Sequence, residues 1–185
     1  MVKAYFENIH IHIIALLASA KTDIKVCVAW FTDYEIYQKI VDKQKEGVQC
    51  EIVVANHKFN KNSKVDFTQL LNSNGKISYI GKINGGAKDK LMHNKFCLID
   101  GTIVITGSYN WSFKARLNDE NILVIQDEPE VIRLFSDKFN ALNPNYAFAM
   151  KNNKITILPI EKIMAKWDNK PALQISQKAK ILDKF

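Results

Sequence analysis

His93-Asn94-Lys95-Phe96-Cys97-Leu98-Ile99-Asp100-Gly101-Thr102-Ile103-Val104-Ile105-Thr106-Gly107-Ser108-Tyr109-Asn110-Trp111 is the stretch on which the reading of this chain turns. Residues 94–99 and 102–106 are rich in β-branched and apolar side chains, the pattern of strands. Asp100-Gly101 between them is a strong turn signal, so the two runs form a hairpin. Side chains two apart in a strand share a face, which sends the His93 imidazole and the Lys95 ammonium into one space. Ser108 and Asn110 share a face in the same way. A hairpin brings its far ends together, so these four residues are expected in one pocket. Asp119-Glu120-Asn121 follow at the mouth of the next strand.

Working outward, residues 2–6 read as a short strand, 8–20 as a helix and 24–31 as a buried strand. Thr32 or Asp33 can cap a helix that runs to about residue 46 and stops at Gly47. Residues 48–55 form a strand, 64–72 a helix ended by Asn74-Gly75, and 77–80 a short strand. A loop around Gly85-Gly86 occupies 81–89. Beyond the hairpin come a helical turn at 111–116, a strand at 121–126 and a helix at 129–142. Strands alternating with helices predict an α/β fold with helices on both faces of a mixed, mostly parallel sheet. Residues 155–167 read as one more strand and helix, or as an extension that docks on a partner.

Composition sets bounds on this picture. The chain has 185 residues, 47% apolar and 24% charged, the balance of one folded domain that needs no disulfide or metal staple. No uninterrupted apolar run approaches the ~18 residues that span a bilayer. Cys27, Cys50 and Cys97 are scattered and odd in number, which favours a reducing compartment and a cytoplasmic location. Residues 9–20 are largely apolar and end in Ala18-Ser19-Ala20, which looks like a signal-peptidase site. However, His10 and His12 interrupt the run, and a helix packed on a sheet explains it better.

The net charge is +7 and unevenly spread. Residues 143–185 hold eight lysines against three acids, whereas residues 1–142 are nearly balanced. We therefore expect a folded domain at 1–142 and a basic extension at 143–185 that contacts a partner or the substrate. A second cluster, Lys76, Lys82, Lys88, Lys90 and Lys95, leads into the hairpin. Basic patches of this kind are the electrostatic footprint of a polyanion partner.

The grouped side chains suit phosphoryl transfer. That reaction needs a nucleophile, an acid for the leaving oxygen and donors for the non-bridging oxygens. A neutral His93 can be the nucleophile. Lys95 supplies a point charge, and Ser108 and Asn110 supply neutral hydrogen bonds. Glu120 can fix the imidazole tautomer. No metal or other cofactor is expected. Asp89, Asp100, Asp119 and Glu120 form no metal-binding pattern, and the Cys and His spacings match no zinc ligand set. Lys88 and Lys90 are expected to bind substrate. His10 and His12 diverge on their helix and read as structural, and His57 could sit near the rim of the site. Trp30 and Phe31 read as core, and Trp111 as packing beneath the site. Tyr109 is expected to be exposed and able to stack on a base.

The spacing His-x-Lys, four residues, Asp, six residues, Gly-Ser-x-Asn resembles the signature of the phospholipase D superfamily. His93, Lys95, Asp100, Gly107, Ser108 and Asn110 match it throughout. Trp111 and the Glu120-Asn121 pair look like its single-motif nuclease branch. The resemblance covers about residues 2–142 in element order and 90–126 in motif detail. It implies an α-β-α sandwich. Because members use two copies of the motif in one site, it also implies a homodimer with the site on its two-fold axis. Asp100, Gly107 and Trp111 are then structural parts of the motif. The implied activity is metal-independent cleavage of DNA or RNA, through a phosphohistidine on His93 and with a bell-shaped pH–rate profile. Two other readings stand beside it: a phospholipase, and a nuclease subunit of a restriction or anti-phage assembly joined through 143–185.

Overall fold

The computed structural model describes residues 1–61, 63–81, 90–142 and 144, and the strands at 146–151 and 154–159. The elements run β1 (Val2–Tyr5), α1 (Ile9–Ser19), β2 (Asp23–Val28), α2 (Tyr34–Lys45), β3 (Gln49–Ala55), α3 (Lys58–Lys61), α4 (Thr68–Asn72) and β4 (Lys76–Ile80). They continue with β5 (Lys95–Ile99), β6 (Ile103–Gly107), a 3-10 turn (Lys114–Leu117), β7 (Ile122–Gln126), α5 (Pro129–Asn140), β8 (Tyr146–Lys151) and β9 (Lys154–Pro159). One sheet carries all nine strands in the order β1-β7-β6-β5-β2-β3-β4-β8-β9.

The sheet is mixed and sandwiched between helices, as expected, but it is mostly antiparallel rather than mostly parallel. Only β2–β3 and β3–β4 run parallel. The other six neighbouring pairs are antiparallel. The reason lies in the connections. Helical crossovers link β2 to β3 and β3 to β4, and such crossovers permit parallel pairing. The β5–β6 hairpin folds back on itself, and β5 then pairs antiparallel with β2 (Val28 opposite Lys95).

Apolar side chains are buried on both faces. On one face, Ile13 and Leu17 of α1, and Ile36, Tyr37 and Ile40 of α2, pack on Ile24, Val26, Ile52 and Val54. On the other, Ile132 and Phe139 of α5 pack on Phe96, Leu98 and Val104. Full burial of such a side chain contributes roughly 1.5–3 kcal/mol, so the two faces together fix the sheet. The helix α2 starts where the Asp33 carboxylate accepts from the Glu35 and Ile36 amides at 3.1 and 3.4 Å. It stops at Gly47, whose φ of +97° reverses the chain and lets Val48 N–H reach the Lys43 carbonyl.

The expected helix at 64–72 shortens to α4, and a further short helix, α3, precedes it. Between the parallel strands and these helices, the buried Asn60 amide accepts from Phe31 N and donates to the carbonyls of Ala29 and Ala55. The loop at 82–89 lies outside the described residues. Beyond α5, β8 joins β4 through only two registered pairs, so the tail hairpin extends the sheet at its edge. The strand expected from residue 155 falls within β9, and the helix expected to follow it lies outside the described residues.

All three cysteines are free and buried. Burial pushes the Cys27 and Cys50 thiols up to about 12, so they act as small hydrophobes. Among the described residues, no helix is long and apolar enough to cross a membrane.

Candidate active site

The strand registers bring five strand ends to one edge of the sheet. There, β2 and β3 end, β5 begins, β6 ends and β7 begins. Extending the β2–β5 register past Val28 and Lys95 sets Trp30 opposite His93. The rings do meet, edge to face, with centroids 5.4 Å apart. The register of β6 with β7, continued past Gly107 and Ile122, sets Ser108 opposite Asn121. Their backbones hydrogen-bond, Ser108 N–H to the Asn121 carbonyl at 3.1 Å.

Lys95 Nζ lies 3.2 Å from each ring nitrogen of His93 and donates to the His93 carbonyl at 2.9 Å. Burial, then the Lys95 charge, lowers the His93 pKa below the ordinary imidazole value. A neutral ring with a free lone pair is what nucleophilic attack requires. Lys95 is itself pushed down by burial, against the opposing pull of the Glu120 carboxylate.

The Ser108 hydroxyl donates to Glu120 and accepts from the Asn121 amide at 3.1 Å. Asn118 donates weakly to the other Glu120 oxygen at 3.4 Å. Within this chain, then, Glu120 orients the Ser108 hydroxyl. Gly107 is needed because a Cβ there would stand 2.1 Å from the Asn121 carbonyl oxygen. Only glycine lets β6 and β7 approach closely enough to place Ser108 beside Glu120.

The other motif residues are supports. Asp100 lies at the opposite end of the hairpin, in a left-handed conformation (φ +53°). Its carboxylate accepts from the Lys21, Thr22 and Asp23 amides at 2.8, 2.8 and 3.0 Å, and from the Thr22 hydroxyl at 2.9 Å. Burial alone would raise its pKa, but those hydrogen bonds outweigh burial and hold it below the ordinary carboxylate value. Trp111 is buried edge-on against Phe31, with centroids 5.2 Å apart. Its carbonyl accepts from Thr32 and Asp33 N–H at 2.8 and 2.9 Å. It packs inward, in the larger core.

Tyr109 requires a correction. It is only 2% exposed and belongs to the larger core, so it cannot stack on a base. Past Gly107, Tyr109 and Trp111 turn inward, while Ser108 stays exposed and Asn110 half-buried. Lys90 is exposed three residues before His93. Lys88 lies outside the described residues. His12 stacks on Tyr5 with centroids 4.0 Å apart, in keeping with a structural role.

Two residues, Trp30 and Arg116, escape the sequence reading, whereas His57 lies beside Trp30. Trp30 is half-buried and packs against His93, His57 and Phe59 rather than filling the core. Trp30 and His57 both follow the C-terminal ends of parallel strands, where α/β sheets place their ligands. That position was the available signal. Arg116 grips Asp33 with two hydrogen bonds, at 2.8 and 2.7 Å, and reaches Glu35 at 2.9 Å. It ties the segment after the motif to the start of α2. Among the described residues, no three His, Cys, Asp or Glu side chains gather into a metal-ligand set.

Comparison with known proteins agrees with this geometry. Residues 13–143 match the family described as cardiolipin synthase, PLD-like domain. A mitochondrial cardiolipin hydrolase of Danio rerio is 28% identical over 149 residues, which cover 75% of this chain and 61% of that protein. The chain thus spans about three fifths of the length of that relative. Among solved structures, Nuc from Salmonella typhimurium superposes with a TM-score of 0.63 at 22% identity, over 76% of this chain and 91% of Nuc. NucT from Helicobacter pylori superposes at 0.64 and 24% identity, over 76% of this chain and 93% of NucT. With the matched region covering most of the sheet and the whole His93–Asn110 hairpin, the chain belongs to the phospholipase D-like family.

Proposed function

We propose that the chain is a metal-independent phosphodiesterase that cleaves nucleic acid through a covalent His93 intermediate. The observation that carries this reading is the Lys95 ammonium 3.2 Å from the ring nitrogens of a His93 whose pKa is lowered. A neutral imidazole beside a fixed positive charge suits attack on a phosphodiester, which brings its own negative charge.

The reaction runs in two displacements. A lone pair of His93 attacks phosphorus, and the bond to the leaving oxygen breaks. That oxygen takes a proton from the imidazolium of a second histidine. Water then attacks the phosphohistidine, gives its proton to the second imidazole, and the P–N bond breaks. Both histidines return to their starting forms. Lys95, Ser108 and Asn110 hold the non-bridging oxygens, and Glu120 orients Ser108 and, across the site, the imidazole.

The second histidine is His93 of the partner subunit in a C2 homodimer, where each copy offers the same surface. The fold similarity to Nuc and NucT and the net charge of +7 favour nucleic acid. Residues 143–185 act as a basic contact segment whose first strands, β8 and β9, are added to the β4 edge of the sheet built by residues 1–142. Removing them is expected to leave the fold intact and weaken substrate binding.

A lipid phosphodiesterase is the second reading, favoured by the cardiolipin hydrolase relative. One assay separates the two. Labelled single- and double-stranded DNA and RNA, and cardiolipin vesicles, are incubated in EDTA with wild type and with His93→Ala. Cleavage of a strand by wild type alone supports the nuclease. Hydrolysis of the vesicles alone overturns it, and reversible loss of activity in EDTA overturns the metal-free mechanism. Sedimentation of the active protein as a monomer would remove the shared site.

A further inference from the structure

A cavity of about 580 Å³, within the size range of small-ligand pockets, is lined by Asn110 and by Trp30, whose ring meets His93. Trp30 forms the wall between cavity and histidine, with its ring on His93 and its neighbour Phe59 on the cavity side. Phe59 and Phe113 line it as well, and these two large rings are 54% and 48% exposed. Lys64 and Lys114 also line it. Exposed rings on a solvated surface need a reason, and here they sit together, flanked by cations, next to a site for phosphodiesters.

We infer that this cavity is a base-stacking subsite that takes one unpaired nucleobase next to the scissile phosphate. The inference rests on the nuclease reading and deepens it by naming single strands as the substrate class. Flat rings suit the flat face of any base, which makes the subsite tolerant of sequence. Lys64 and Lys114 match the charge of the flanking phosphates.

Two buried polar atoms on the cavity residues, Trp30 Nε1 and Asn110 Oδ1, have no hydrogen-bond partner. One is a donor and the other an acceptor. The edge of a heterocycle offers both complements, while an acyl chain offers neither and would leave both atoms unsatisfied. Both atoms are buried, so the base reaches them only as the cavity wall rearranges around it. In a duplex the base faces are covered by their neighbours, so a paired base must first be unstacked and unpaired. Single strands are therefore expected to bind more tightly and react faster than duplexes.

The test pairs deletion of the ring with deletion of the base. Binding of a single-stranded DNA oligonucleotide is measured on His93→Ala by fluorescence anisotropy. The same strand is then used with one abasic position, moved along its length. The abasic strand is expected to bind about 5- to 150-fold more weakly at one position. Adding Phe59→Ala or Phe113→Ala, both at exposed positions, should weaken binding of the intact strand and shrink that abasic penalty.

Equal binding of intact and abasic strands at every position would overturn the subsite. So would a ring deletion that weakens both strands equally. In either case, strand cleavage by the wild type leaves the nuclease reading standing. If no strand is bound or cleaved and cardiolipin vesicles are hydrolysed, both fall together.

Discussion

Lys95 Nζ stands 3.2 Å from both nitrogens of the His93 ring, so the ammonium faces the imidazole rather than a carboxylate. Burial and this charge both favour the neutral ring. The folded state therefore binds fewer protons at His93 than the unfolded chain just below the ordinary imidazole pKa. Activity that depends on the neutral form should persist into that weakly acidic range and fail as pH falls through the lowered value. Lys95→Gln should move the His93 titration toward higher pH, followed by NMR of the ring. Activity should fall about 10²–10³-fold with loss of the charge. A His93 titration that does not move in Lys95→Gln would mean that the charge does not act on the ring.

Ser108 donates to Glu120 and accepts from Asn121, so its hydroxyl is held in one orientation. Ser108→Ala and Glu120→Gln should each lower kcat. Their combination should lose much less than the product of the two effects, with a coupling of about 0.5–3 kcal/mol. Strictly multiplicative losses in a double-mutant cycle would show that Glu120 acts without Ser108.

Gly107→Ala should disturb the same pair by backbone displacement. The added Cβ meets the Asn121 carbonyl oxygen and Ile122 Cα, neither of which is the end of a flexible side chain. A loss of roughly 1–3 kcal/mol in stability is expected. It should be accompanied by a fall in activity larger than instability explains, measured well below the melting transition. Unchanged activity in a folded variant would contradict the need for close approach.

Much of the fold is legible because local signals agree with it. Asp33 caps α2, Gly47 ends it and Asp100-Gly101 turns the hairpin, each through chemistry confined to a few residues. Strand direction is different. Of the six antiparallel pairings, β5 beside β2 and β1 beside β7 join distant segments, and such long-range choices have no local signature. The aromatic residues show the same limit. Trp30 reads as core and Tyr109 as exposed, yet Trp30 borders the site and Tyr109 is buried. Periodicity tells which residues share a face but not which face meets a helix and which meets a ligand. Likewise, the Arg116–Asp33 contact joins residues 83 apart in sequence, and no local pattern announces it.

Arg116 and Asp33 form a two-pronged pair in which the carboxylate is fully buried and the arginine side chain half-buried. Removing one partner of such a pair leaves an uncompensated charge, which typically costs about 3–5 kcal/mol. Asp33 also caps α2, but the cap alone is worth only ~1 kcal/mol. Arg116→Met should therefore lower the melting temperature more than Glu35→Gln, since Glu35 is exposed and reached by a single hydrogen bond. Arg116→Lys should rescue little, because an ammonium cannot reproduce the fork. Equal thermal shifts in Arg116→Met and Glu35→Gln would show that the buried carboxylate tolerates being alone.

Asp100 carries a charge at the turn of the hairpin, far from His93, and its effect should appear in stability alone. Its carboxylate gathers three backbone amides and the Thr22 hydroxyl between α1 and β2. These bonds hold its pKa below the ordinary carboxylate value in the folded chain. The sign follows directly. Above the ordinary carboxylate pKa the group is ionised in both states, and the folded chain gains the full benefit. As pH falls through the lowered pKa, that benefit is lost. Asp100→Ala should thus destabilise by about 1–3 kcal/mol at neutral pH, with Asn intermediate because its amide oxygen still accepts. The gap between wild type and Asp100→Ala should narrow as the pH is lowered into the carboxylate range, measured by urea unfolding. Catalysis on the folded fraction should be nearly unchanged. A large loss of kcat in a fully folded Asp100→Asn protein would instead give this carboxylate a part in the reaction.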